Sequence, residues 1–425
     1  MRALNVLISG GGIAGPALAH WLVRRGDRVT LVERAPSLRP GGQAVDFRGG
    51  PQLEVLERMG IRRAVEEHQT HMGDITIVDE RGRRRSRLPS AIFSGDVEIL
   101  RGALSRILHD ASGGAEYVFD DSITSLAETP GGVEVTFEKA PPRRFDLVVG
   151  ADGIHSKVRE LAFGGDGAEL RHLGLYQAAF RVPGTYGLDR AGVMHSAPGR
   201  CATIMRTNGE TRASLDFAAP PLAYDHRDRD RQRELVAAAF DGLGWEIPSL
   251  LEAMWTAEDF YFAPAAQVVL PAYSAGRVVL LGDAGYAPGP GGMGTGLALI
   301  GAYVLAGELA AAAGDHRTAF ARYEQELRPY VETCQKQARG ADKFLVPQKR
   351  RQIWWRDQAM RMLPYLPYRN LVRKMATRAA SAITLKDHPA PEGGPAPARA
   401  RSGQDPAPHG PRTVRLGPED PAGSC

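Results

Sequence analysis

The run Gly10-Gly11-Gly12-Ile13-Ala14-Gly15 sets glycines at the three positions of a GxGxxG turn, directly after the apolar segment Leu4 to Ser9. Gly10 permits the tight turn, Gly12 lets a pyrophosphate approach the backbone, and Gly15 lets the next helix pack closely on its strand. A helix that opens at Ile13 and Ala14 offers free N–H groups and the positive end of its dipole to a phosphate. Glu33, with Arg34 beside it, follows about 20 residues on, where an acid accepts hydrogen bonds from ribose hydroxyls. The pattern predicts a dinucleotide site and leaves open whether FAD or NAD fills it.

Two more acids follow short apolar segments: Asp152 after Leu147 to Gly150, and Asp283 after Val278 to Leu281. Ligands of open α/β sheets bind at such strand ends; the alternative for each Asp is that it caps the following helix or turn. A formal second GxGxxG at Gly289, Gly291 and Gly294 lies several residues from its strand, and Glu308 falls inside a helix, so one nucleotide domain is predicted. No His, Asp or Glu cluster has metal spacing, no metal is expected, and no GxSxG elbow marks a serine nucleophile. Cys201 reads as packing. His71, His172 and His195 are candidates to line a substrate cavity, with His195 and Pro288 kept as the pocket candidates.

Among the elements that hold these residues, Ala14 to Arg25 has helical spacing and Arg28 to Val32 reads as a second strand, which gives a βαβ opening. Gln52 to Met59 and Val97 to Ala111 read as helices; Asp74 to Asp79, Val133 to Phe137 and Leu147 to Gly150 read as strands. Arg171 to Asp216 alternates in short β-like segments, Leu235 to Met254 is helical, and the long helices Leu297 to Ala313 and Arg317 to Arg339 follow the strand Val278 to Leu281. The expected fold is α/β: a Rossmann-like (βαβ) domain split by an inserted β-rich substrate domain, with C-terminal helices. The boundaries are 1–70, 95–170 and 266–340 for the nucleotide domain, 71–94 and 171–265 for the substrate domain, 341–386 for a helical segment broken near Pro364 and Pro367, and 387–425 for a disordered Pro-rich tail.

With 425 residues and a net charge of +4, the chain has room for a large core and no strong charge bias. The run Arg83-Arg84-Arg85 reads as a solvated hairpin and nucleic acid is not an expected partner. No apolar run approaches the roughly 20 residues of a membrane helix. Three scattered cysteines and the lack of a basic, apolar leader predict a cytoplasmic protein, as monomer or homodimer.

Gly150-Ala151-Asp152-Gly153-Ile154-His155-Ser156-Lys157-Val158-Arg159 resembles the GADGxxSxVR motif of class A FAD-dependent monooxygenases, the p-hydroxybenzoate hydroxylase family. Gly282-Asp283-Ala284-Gly285-Tyr286-Ala287-Pro288 is similar to that family's GDAAHxxxP motif, and the likeness spans roughly residues 1 to 340. The resemblance implies non-covalent FAD, NADPH or NADH as electron donor, and O₂, with oxygen passed through a flavin C4a-(hydro)peroxide to an aromatic or polyketide-like substrate. It implies that Asp283 binds the ribityl chain and that Asp152 lies near the pyrophosphate. The stretch Pro288 to Gly296, with Gly294 opening a helix, would face the flavin pyrimidine edge. Similarity to the tetracycline-inactivating branch implies FAD contacts from Asp46 and Arg101 and an NADPH contact from Arg39. Gly285 and Tyr286 depart from the family's Ala-His and put substrate identity in question. A dehydrogenase, a reductase or a halogenase is the alternative, the last suggested by Gly244-Trp245-Glu246-Ile247-Pro248.

Overall fold

The computed structural model describes residues 3–38, 42–164, 169–363 and 379–388. Arg39, the helix break at Pro364 and Pro367, and the Pro-rich tail from residue 389 onward lie outside the described residues.

The strand Asn5–Ser9 sits inside a six-stranded sheet, flanked by the parallel strands Arg28–Glu33 and Leu147–Gly150. Val6, Leu7 and Ile8 are completely buried, as a continuous apolar run in an interior parallel strand requires. Val278–Leu280 adds a further parallel strand beside Leu147–Gly150, Glu116–Phe119 closes the far edge, and Ser274–Ala275 adds an antiparallel edge. Register aligns the strand ends: Ser9 opposes Val32 on one side and Gly150 on the other, and Gly150 opposes Leu280.

A seven-stranded sheet is built from Tyr261–Val269, Glu169–Arg181, Glu210–Ala218, Arg200–Thr207, Ala191–Ala197, Ile75–Val78 and Arg84–Leu88, in that order. Period-two alternation splits its side chains between two faces. Tyr176, Ala178, Phe180, Ala202, Leu215 and Phe217 form an outer face under the helices Arg229–Phe240 and Ile247–Thr256. Leu175, Met194, Cys201 and Ala265 lie on the inner face, covered in part by Val346 and by Met360 of the helix Arg350–Met362. Arg83 and Arg85 pair with Asp79 in the hairpin that leads into the edge strand.

Two sequence expectations change. Val97 to Ala111 is not one helix: Val97–Leu100 is a strand paired antiparallel with Ala44–Phe47, and the helix begins at Arg101. The β-branched Val97 and Ile99 are fixed by a partner strand far away in sequence, which local periodicity does not reveal. The helix Gly294–Ala311 does approach the length and hydropathy of a membrane span, at 18 residues and mean hydropathy 1.4, but 78% of it is buried within the protein. Its neighbours are the helices Ala14–Arg24 and His316–Ala338.

Tyr286 belongs to this core. Its hydroxyl meets that of Tyr323 at 2.9 Å, and Tyr323 donates to the Leu280 carbonyl at 3.0 Å. Gly301 makes room, since a Cβ there would fall 2.2 Å from the Tyr286 hydroxyl. Removing the Tyr323 hydroxyl strands buried polar partners, so Tyr323→Phe is expected to lower stability by about 1–3 kcal/mol in urea unfolding; an unchanged midpoint refutes this account.

Asp216, on the inner face, is enclosed enough that burial pushes its carboxyl up to about 6, against hydrogen bonds from Ser214 and Gln177 that lower it. A folded-state value above the unfolded one gives stability that is present at low pH and lost as pH rises through about 6. The neutral Asp216→Asn variant is therefore expected to be more stable than the parent at pH 7.5, by about 1–2 kcal/mol once the accessible edge of the carboxylate is allowed for. The gap should shrink toward pH 4.5, and thermal melts at the two pH values that show no such convergence exclude this origin.

Candidate active site

The aligned strand ends bring the glycine turn and the two later acids to one place. A Cβ on Gly10, whose φ is +111°, would lie 2.4 Å from the Ala151 carbonyl, and one on Gly15 would lie 2.0 Å from the Gly10 carbonyl. Only glycine closes this turn. Gly12 differs: within 4 Å its Cβ would meet only Arg101 Nη2, at 3.6 Å, apart from its chain neighbours. Ser105 Oγ donates to the Gly12 carbonyl at 3.3 Å and fixes the helix Arg101–Ala111 against the turn.

Asp283 lies across from Gly12. It is exposed to solvent, as befits a group facing an open cleft, although protein atoms crowd around it. Burial raises its carboxyl, and the charge of Arg101 opposes that shift. Gly294 adjoins it, with a Cβ position 3.6 Å from Asp283 Oδ1 and 3.5 Å from Pro288, and a Cβ on Gly282 would touch the Ala14 side chain at 3.0 Å. Three helices thus start around one cleft: Ala14–Arg24, Arg101–Ala111 and Gly294–Ala311. None has a side-chain cap; Ile13, Leu100 and Met293 stand at their N-cap positions. Free N–H groups and positive dipole ends meet there with the Arg101 guanidinium. A glycine floor, uncapped N–H donors and one cation fit a pyrophosphate-bearing dinucleotide.

Glu33 stands at the edge of this cleft. Its Oε2 accepts from Gly11 N–H at 2.7 Å and its Oε1 from Ala35 N–H at 2.8 Å, so the carboxylate is fixed beside the turn with lone pairs to spare. Arg34 next to it is exposed and close enough to help depress His155, whose largest perturbation is burial.

Asp152 adjoins Gly10 but is occupied. It accepts from Ser156 Oγ, from Lys157 N–H at 2.8 Å and from Val158 N–H at 3.1 Å, which anchors the start of the helix Lys157–Phe163. Burial raises its carboxyl despite those bonds. Arg159 completes the segment, donating to the Ala284 carbonyl at 2.8 Å and tying it to the Asp283 loop. Asp46 is held in an ion pair with Arg48. It opposes Glu98, whereas Arg101 bonds back to Gln43, three residues earlier on the same ladder.

His195, expected in the substrate cavity, is on the other face of the seven-stranded sheet. It opposes Ala202 in the outer-face row, its Nδ1 lies 3.2 Å from the Val78 carbonyl, and its ring packs on Trp245 at 5.6 Å. A one-residue shift along a strand reverses the face, and the strand's parity sends Met194 and Ser196 inward instead. The Trp245-Glu246-Ile247-Pro248 segment likewise belongs to the outer layer, as the start of the helix Ile247–Thr256.

Pro288 is buried, and its carbonyl accepts from Gln267 Nε2 at 2.8 Å. Gln267 shares the inner face with Ala265, so this face looks toward the Pro288 loop. Four residues line up there across adjacent strands, three of them passed over by sequence reasoning and the fourth, Cys201, read only as packing: Gln177 opposes Asp216, Asp216 opposes Cys201, and Cys201 opposes Ser196. Ser214 Oγ donates to Asp216 Oδ2 at 2.8 Å and receives Gln177 Nε2 at 3.3 Å. The Cys201 thiol is pushed up to about 11 by burial and the neighbouring Asp216 charge, which favours its neutral thiol form.

The family described as an FAD binding domain matches residues 3–338. A flavin-dependent monooxygenase of Legionella longbeachae is 36% identical over 342 residues, covering 79% of this chain and 88% of that protein. An uncharacterised protein of Mycobacterium tuberculosis is 44% identical over 341 residues, covering 78% and 91% respectively. Among solved structures, the tetracycline destructase Tet(51) superposes with a TM-score of 0.81 at 33% identity, over 91% of this chain and all (100%) of that one. The glycine turn, the Asp283 cleft and these likenesses agree: the chain belongs to the class A FAD-dependent monooxygenases.

Proposed function

We propose that this protein is an NAD(P)H-consuming FAD monooxygenase that oxygenates an aromatic, polyketide-like small molecule lying between the Pro288 loop and the inner face of the seven-stranded sheet. The observation that carries the reading is the convergence of three helix N-termini without side-chain caps on a cleft holding Asp283 and Arg101. In this assignment Glu33 holds the adenosine ribose and the Gly10–Gly15 turn receives the pyrophosphate, with Ile13 and Ala14 as backbone donors. Asp283 takes the ribityl hydroxyls, and Arg101 neutralises phosphate charge. The start of the Gly294 helix faces the pyrimidine edge of the ring, where its dipole favours negative charge. Asp46 and Arg34 are outlying contacts, Asp152 is a positioning residue for the turn, and Arg39 is the candidate for the reduced nucleotide.

Bound FAD would supply the redox and oxygen-activating chemistry. The chain's own residues bind, orient and exclude water, and none is required as a covalent catalyst. Segments 1–70, 95–170 and 266–340 would serve the cofactor, and 71–94 with 171–265 the substrate. Likeness to a tetracycline destructase supports a polycyclic substrate. Trp245 lies in the outer layer against His195, on the face opposite the inner row, which weighs against the halogenase alternative.

Asp283→Asn and Arg101→Ala are each expected to weaken FAD binding about tenfold or more, read as flavin absorbance retained after gel filtration. Full flavin retention by both variants sinks the assignment. With ¹⁸O₂, NADPH and a polycyclic phenol, the expected outcome is substrate-stimulated NADPH oxidation and one heavy oxygen in the product; a halide-dependent product, or dehydrogenation without label, overturns oxygen transfer.

A further inference from the structure

On the inner face, Asp216 is a carboxylate without a counter-ion among the described residues. It keeps accessible surface although it lies mid-sheet, on a strand flanked on both sides by others. Its hydrogen bonds come from neutral groups, Ser214 Oγ at 2.8 Å with Gln177 behind it. The cations of this face are already taken. Arg212, on the same face of the same strand, pairs with Asp259 at 2.7 Å and Glu210 at 3.2 Å. Arg356, which reaches the row from the C-terminal helix, pairs with Asp357 at 3.0 Å and donates to Ser196 Oγ at 3.2 Å. Asp216 forms no ion pair among the described residues. An enclosed anion without a partner costs free energy in the empty protein, and a ligand cation recovers it. The remaining neighbours, Cys201, Thr203 and Met194, offer no positive charge.

We propose that Asp216 is the recognition residue for a protonated amine on the substrate, bound as a charge-assisted ion pair in the space between the inner face and the Pro288 loop. The proposal rests on the monooxygenase reading and sharpens its substrate class to cationic, amine-bearing polycycles. Ser214 and Gln177 are positioning residues: they hold the carboxylate, Ser214 through Oδ2. Gln267, whose Oε1 is buried without a partner while its Nε2 bonds Pro288 and Gln335, borders the same face. An anionic substrate is disfavoured by the same charge.

The test uses the FAD-loaded full chain and two tetracyclic polyketides that differ in one group, sancycline and 4-dedimethylaminosancycline. Dissociation constants come from the perturbation of flavin absorbance. The parent is expected to bind sancycline about tenfold more tightly, Asp216→Asn to lose that preference, and Asp216→Glu to retain part of it, all with unchanged flavin content. Equal binding of both compounds by the parent, an undiminished preference in Asp216→Asn, or binding of neither compound overturns the amine assignment. Equal binding with a slower, pH-shifted turnover in Asp216→Asn also overturns it and assigns Asp216 to proton transfer instead. Labelled oxygen from ¹⁸O₂ in either product keeps the monooxygenase reading whichever way the preference falls; its absence from every product, with no coupled NADPH oxidation, is the separate failure of that reading.

Discussion

The chemistry of this chain depends on the parallel register of three strands. Ser9, Gly150 and Leu280 end side by side, so loops that are far apart in sequence leave the sheet at one level. Hydrogen bonding in a parallel ladder fixes that level to within a residue, and one residue is about 3.3 Å along a strand. The tolerance at the turn is smaller still, because the absence of a Cβ at Gly10 and Gly15 is what lets backbone approach backbone there. Sheet register and glycine thus act as one constraint: the strands bring the loops together, and the missing side chains let them close.

Within that frame, the acids that look equivalent in sequence do different work. Asp152 and Asp283 each follow an apolar strand, yet Asp152 gives its carboxylate to Ser156 and two backbone N–H groups, while Asp283 faces only the charge of Arg101 across the cleft. Helix capping, one of the two alternatives when the sequence alone is considered, is the work of Asp152, and no such cap is made by Asp283 among the described residues. The exchange of His for Tyr286 resolves in the same way, since its ring enters the core against Tyr323 and Gly301. It therefore leaves the cleft wall to other residues.

What could be read in sequence was local: the strand, turn and helix around Gly10 to Gly15, the acid at Glu33, and the strand-end positions of Asp152 and Asp283. Each is set by the strand and turn beside it, so local pattern reports it. The inner-face row could not be read this way. Gln177, Asp216, Cys201 and Ser196 come from four strands, and their alignment follows from three pairing registers that no single strand encodes. His195 illustrates the difference, being one residue away from Ser196 and on the opposite face. Val97 to Leu100 failed for the same cause, a strand defined by its partner Ala44–Phe47.

The family match ends at residue 338, but Arg356 lies beyond it, buried, with its guanidinium on Ser196 at the end of the inner-face row. The helix Arg350–Met362 therefore covers part of the inner face from outside the matched segment, and it leaves Trp354 and Trp355 turned outward. The cover of this face and the glycine turn thus lie in separate stretches of one polypeptide. A change in that helix alters what covers the inner face while every glycine of the turn stays in place.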